Sequence, residues 1–170
     1  MSKGRSNKLA GQVAEHLVCA ELGRRGYMAT PFAGNVPIFD LLIADDDLRT
    51  VPIQVKCTRT GFWHCDAADY MQIDMDGDRQ VERGITVPKH PNLVWAFVHL
   101  GDGDRHDRFY VMTSTQLHQV VRARYSDWMN GHGWIRPRSP DCTDNKIPLS
   151  PWCDEYEDAW DTVAVALSHG

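Results

Sequence analysis

Apolar and polar positions repeat with two different periods along this chain, and the switch between them marks its first elements. Between residues 6 and 26, Leu9, Val13, Leu17 and Ala20 recur at three- and four-residue spacing, with Ala10, Ala14 and Val18 widening the stripe. That period predicts an amphipathic helix, with Gly26 as its stop signal. A short strand is predicted at 27–32, ended by the turn residues Ala33, Gly34 and Asn35. Strands follow at 38–44 and 50–57, joined by Asp45, Asp46 and Asp47. Residues 62–92 are acidic and short of period, with 70–73 reading as a strand piece or a single helical turn. The run 93–100 predicts a strand, 101–104 a turn, and 108–112 its hairpin partner. Ser114 or Thr115 is expected to cap a helix running to about Met129. The proline-rich stretch 130–152 reads as an ordered loop or arm, and Asp154 as the cap of a final helix carrying Trp160, Val163, Ala164 and Leu167.

The strands at 38–44 and 50–57 are interrupted where a core should continue. Asp40 breaks the first, and Gln54 and Lys56 break the second. Burying an unpaired polar group costs ~1–3 kcal/mol, so the interruption calls for a reason. Side chains alternate along a strand, which puts Val51, Ile53, Val55 and Cys57 on one face and Gln54 and Lys56 on the other. A turn centred on Asp47 sets Asp40 opposite Gln54, so that carboxylate, amide and ammonium converge. A slip of one residue would undo this. Glu15 stands at the edge of the helical stripe, on one strip with Gly11, Cys19 and Leu22; taken alone, it reads as a solvated surface glutamate.

Composition changes the picture little. The chain has 170 residues, 42% hydrophobic and 24% charged, which predicts a single α/β domain spanning 1–170. Its motif-bearing core is expected at about 6–126, with the C-terminal arm and helix at about 130–170. The absence of any long apolar run and of a signal core predicts a cytoplasmic protein with no membrane partner. Five scattered cysteines without a C-x-x-C pair predict free thiols. The net charge of −5 hides an asymmetry. Residues 1–30 and 105–138 are net basic, and the last thirty residues are strongly acidic, so a basic face for a polyanion remains open.

Other polar clusters fit known chemistries less well. In Asp74-Met-Asp76-Gly-Asp78 the glycine precedes the third acid and Ile85 stands where a calcium loop ends in glutamate. His64, Cys65, His132, Cys142 and Cys153 have no zinc-site spacing. Cys57 beside Lys56 is a candidate for a lowered pKa, without a histidine-assisted nucleophile arrangement. Trp128, Trp134, Trp152 and Trp160 read as core and arm packing, with an oligomer interface as the rival.

The order Gly11-x-x-Ala14-Glu15 on a first helix, Gly26 at its end, Asp40 on the second strand and Gln54-Val55-Lys56 on the third resembles the PD-(D/E)-X-K nuclease superfamily. It is closest in pattern to the branch of Holliday-junction resolvases and Mrr-like restriction endonucleases, in the Q-x-K variant. The likeness covers about residues 6–60. Gln54 stands where an acid is more usual, Phe39 replaces the acid-preceding proline, Pro37 lies three residues before Asp40, and no helix is evident in 62–92.

The resemblance implies a restriction-endonuclease-like fold, a mixed central sheet flanked by helices with a C-terminal loop-rich arm and helix. It further implies a metal-dependent DNA endonuclease acting on duplex or branched DNA, with Mg²⁺ as cofactor and Mn²⁺ able to substitute. Asp40, the Gln54 side chain, the Val55 carbonyl and Glu15 would form the metal site, and Lys56 would orient water or stabilise charge on the phosphate. Arg59, Arg122, Arg124, Arg136 and Arg138 are candidate phosphate contacts. A homodimer is the expected assembly, because a two-strand break needs two sites. The alternative is a catalytically inactive DNA-binding or assembly protein on the same fold.

Overall fold

A computed structural model describes residues 3–32, 38–102 and 105–168; the expected turn at Ala33, Gly34 and Asn35, and Pro37, lie outside them. Helix α1 (Lys3–Arg24) is followed by strands β1 (Met28–Pro31), β2 (Leu41–Ala44) and β3 (Thr50–Thr58). Gly26, at φ +88°, takes the left-handed conformation that ends α1 without a side-chain clash. The meander is antiparallel, and its register sets Leu41 against Ile53 and Ile43 against Val51. That is the predicted register. Strand β2 starts at Leu41 rather than at 38, although pairing continues outward: the Asp40 N–H donates to the Ile53 carbonyl at 2.9 Å and the Phe32 N–H to the Asp40 carbonyl at 3.0 Å.

Strand β3 pairs in parallel with β7 (Val94–His99), which pairs antiparallel with β8 (Arg108–Thr113). The result is a mixed five-stranded sheet in the order β1-β2-β3-β7-β8. Between β3 and β7 the chain lays down strands in place of a crossover helix: β4 (Phe62–Asp66), a 3₁₀ turn (Ala67–Asp69), and the ribbon β5 (Met71–Asp76) and β6 (Arg79–Ile85). The stretch that lacked a helical period therefore has β structure, and 70–73 enters a strand.

Helix α2 (Ser114–Asn130) begins one residue earlier than a Ser114 cap implies and two earlier than a Thr115 cap. Thr113 is the cap, accepting the Gln116 N–H in a reciprocal capping box with the Gln116 side chain. Ser114 is instead buried, where it accepts the Trp95 indole N–H at 3.1 Å and donates to the Leu93 carbonyl. The expected arm at 130–152 contains β9 (Asp144–Pro148), which pairs with β4, and the short turn α3 (Leu149–Trp152). Asp154 opens a 3₁₀ turn ending at Tyr156, and the last helix, α4 (Asp161–Ser168), starts only after Trp160.

Two apolar layers hold the sheet. On one face α1 and α4 cover Ile43, Ile53, Val55, Ala96 and Val111; on the other, α2 and the added strands cover Phe97, Tyr110 and Met112. In α1 the buried row is Ala10, Ala14, Val18 and Leu22, whereas Leu9 and Val13, expected in the stripe, are exposed. Alanines at 10 and 14 let the helix backbone approach the sheet closely, which turns their larger neighbours outward.

Candidate active site

Alternation along β3 puts Ile53 and Val55 into the α1 layer and leaves Gln54 and Lys56 on the opposite face. Asp40, one residue before β2, lies just beyond the paired register, its own N–H on the Ile53 carbonyl and its side chain turned to β3. Its Oδ2 accepts the Val55 backbone N–H at 2.7 Å and the Gln54 side-chain amide. The carboxylate is thus fixed from two directions by β3. Gln54 is 9% exposed, a buried polar side chain whose partner is this carboxylate.

Lys56 shares the Gln54 face. In the parallel pairing Gln54 lies beside Trp95 and Lys56 beside Phe97, and the Lys56 Nζ stands 5.8 Å from the centre of the Trp95 ring. The indole face gives the ammonium a cation–π contact while it remains half-buried. Glu15 of α1 is also half-buried. Burial pushes its carboxyl above the usual glutamate range, and the negative charge of Asp40 pushes it further.

Asp40, Glu15 and the Gln54 amide are the oxygen donors that could hold a divalent cation. Asp40 and Glu15 repel each other with the Gln54 amide on Asp40, and a hard ion of low coordination demand on the protein would relieve that repulsion. Among the described residues no group of three or more His, Cys, Asp or Glu side chains is arranged to hold a metal, so the amide is integral to the fit.

The predicted phosphate-contacting arginines separate. Arg59 is exposed just past the end of β3. Arg122 is ion-paired with Glu82. Arg124 and Arg136 line one cavity of about 310 Å³ with His64 and Lys146, and Arg136 and Arg138 line a neighbouring one. His64 and Lys146 meet because β4 and β9 pair in register, a pairing between segments about eighty residues apart in the chain. Arg136 stacks on Trp128 at 4.6 Å and Arg124 stands 5.8 Å from the centre of the Trp152 ring. Trp95, Lys146 and His64 were not foreseen; only the aromatic content of the 93–100 strand pointed toward the first.

Cysteine chemistry does not join the site. All five thiols are free. Cys57, a candidate for a lowered pKa beside Lys56, points to the opposite face, and burial raises its pKa against the weaker pull of Arg59. Burial pushes Cys65 and Cys153 up to about 12. Asp74, in the suspected calcium loop, lies on β5 and pairs with Arg83 at 2.8 Å. Among the described residues no helix is long and apolar enough to cross a membrane.

No protein-family model matches the chain, and no curated protein does. Among solved structures, it is similar to that of a bacterial homing endonuclease, I-Ssp6803I. The TM-score is 0.52 at 13% identity, over 96% of this chain and 97% of that one. The likeness spans the whole fold, so the mixed sheet with its flanking helices is an arrangement also found in an endonuclease.

Proposed function

We propose that this protein is a metal-dependent DNA endonuclease whose active site is built from Asp40, Gln54, Lys56 and Glu15. The observation that carries this reading is the Asp40 carboxylate fixed by the Gln54 amide and the Val55 N–H, with Lys56 on the Gln54 side of β3 and Asp40 raising the Glu15 pKa. The likeness to a homing endonuclease supports the same reading at the level of the fold.

Asp40, Glu15, the Gln54 amide oxygen and the Val55 carbonyl would hold Mg²⁺ or Mn²⁺, which supplies charge neutralisation at the phosphate and a more acidic water. Val55 keeps Asp40 in place through its N–H, so the principal ligand is oriented before substrate arrives. Gln54 now presents its NH₂ to Asp40, and turning over its carboxamide presents the oxygen. Lys56, held against Trp95, stabilises negative charge building on the phosphate oxygens. Cutting both strands of a duplex requires two such sites, which pairing of two chains would supply.

One observation favours a second reading, a DNA-binding or assembly protein without catalysis. The Gln54 amide already satisfies Asp40 without an ion. Nicking of supercoiled plasmid and cleavage of branched DNA, with Mg²⁺ or Mn²⁺ against a chelator, separates the two. Metal-dependent cutting that is lost in Asp40→Asn supports the enzyme; DNA binding without cutting supports the second reading.

A further inference from the structure

A cavity adjoins the proposed catalytic face through Trp95. It encloses about 610 Å³, within the range of pockets that take small organic ligands. Trp95, the ring that carries Lys56, forms part of its wall, and Ile38, two residues before Asp40, forms another. Leu93, Ser114 and His118 line its deep part and are 4%, 3% and 7% exposed. Tyr70 meets His118 edge to face at 5.1 Å. At the outer wall Val87 is 89% exposed, an apolar side chain with little to cover it, next to exposed Lys89.

We propose that this cavity receives one unpaired nucleobase beside the phosphate to be cut, so that DNA with an unpaired nucleotide at the cleavage position is the preferred substrate. The inference rests on the nuclease reading and narrows its substrate class. Lys56 Nζ stands 5.8 Å from the centre of the Trp95 ring that lines the cavity, a distance comparable to the span between a nucleotide's phosphate and its base. A phosphate at Lys56 therefore brings the attached base to the cavity mouth. A base kept in a duplex stack cannot reach a recessed floor, whereas an unpaired or extruded one can.

The chemistry of the lining favours stacking over readout. The deep polar atoms are already engaged: the Ser114 hydroxyl with Trp95, His90 and Leu93, and the His118 ring nitrogen with Thr86 at 3.3 Å. Besides the exposed Asp69, Lys89 and His90 at its edge, what the cavity offers is aromatic and aliphatic surface. Such a surface holds any base and distinguishes none strongly.

Ala68 is exposed and lines the cavity, which none of the proposed catalytic residues lines, so Ala68→Trp fills it from a separate segment. Val87→Trp fills it from a second segment. The probe is a duplex carrying 2-aminopurine as a single bulged nucleotide, bound without divalent metal. Its fluorescence should fall on binding the wild type and stay high with either variant. With magnesium, the wild type should cut bulged or flapped DNA about ten- to hundredfold faster than fully paired DNA, the size of one base–aromatic stack. Either variant should abolish that preference while cutting paired DNA at the wild-type rate. Equal cutting of paired and unpaired DNA by the wild type, or a fluorescence change that both variants keep, overturns the inference. If no DNA is cut at all, the nuclease reading fails, and the metal-free fluorescence still decides whether the cavity takes a base.

Discussion

Asp40 and Gln54 face each other across the start of the β2–β3 pair, and one oxygen of Asp40 accepts from both the Gln54 amide and the Val55 N–H. The carboxylate is thus a structural acceptor as well as the proposed metal ligand. Asp40→Ala would strand two donors and should destabilise the protein by ~1–3 kcal/mol, while Asp40→Asn keeps an acceptor and should cost under about 1 kcal/mol. Urea unfolding of the two variants measures this. Equal stability of Asp40→Ala and wild type would mean that the pair does not hold the hairpin.

Glu15 and Asp40 repel each other, and Glu15 also carries the cost of its burial. Replacing it by glutamine removes that repulsion, so Glu15→Gln should match or exceed the wild type in melting temperature without metal. Added Mg²⁺ should then raise the melting temperature of the wild type by more than that of Glu15→Gln, because the ion binds the folded state through both carboxylates. Identical metal-induced shifts in a thermal scan would remove Glu15 from the site.

His118 supplies a pH dependence away from the site. Burial holds its pKa below the ordinary 6.5, with Thr86 and the Tyr70 ring packed against it. Below pH 6.5 the unfolded chain therefore takes up a proton that the folded protein resists. Stability should fall as the pH drops from about 6.5 toward the depressed folded value and should be insensitive to this group above it. His118→Asn keeps a hydrogen-bonding atom that cannot titrate, so its urea midpoint should fall less between pH 7.5 and 5. A parallel fall in both proteins would contradict this assignment.

The arginines make a prediction about salt. Arg122 is neutralised by Glu82, whereas Arg124 lines a cavity with Arg136, His64 and Lys146. If DNA phosphates meet that cavity, Arg124→Gln with Lys146→Gln should reduce the slope of log affinity against log salt by about two units. Arg122→Gln should leave it unchanged. The reverse pattern in fluorescence anisotropy titrations would move the DNA path to the α2–β6 side.

The β2–β3 hairpin was legible in the sequence because its turn is short and its alternation strict, which fixed Asp40 against Gln54. The β7–β8 hairpin was legible from the two apolar runs that form its strands, each buried on both faces, and the Gly-Asp residues between them. What lies between was not, because β4 finds its partner in β9, some eighty residues away, and neither segment has a strong alternating pattern. The same long-range pairing brings His64 to Lys146. Trp95 reaches Lys56 through the parallel β3–β7 pairing, which no local turn specifies. In α1, apolar spacing identified the helix and misjudged its buried row, because close approach to a sheet favours Ala10 and Ala14 over the bulkier Leu9 and Val13. Thr113 rather than Ser114 caps α2, since Ser114 is drawn inward by Trp95 and Leu93.

The central claim, that this face of β3 cuts DNA, is tested most directly by the rate of magnesium-dependent nicking in wild type, Gln54→Glu, Gln54→Ala and Lys56→Ala. Gln54→Glu adds a carboxylate at the same reach and should equal or exceed the wild type. Gln54→Ala should be slower by about one order of magnitude or more, and Lys56→Ala by about two to three, as expected when a group that stabilises transition-state charge is removed. Equal rates in all four proteins, or activity in Lys56→Ala at the wild-type level, would contradict the account.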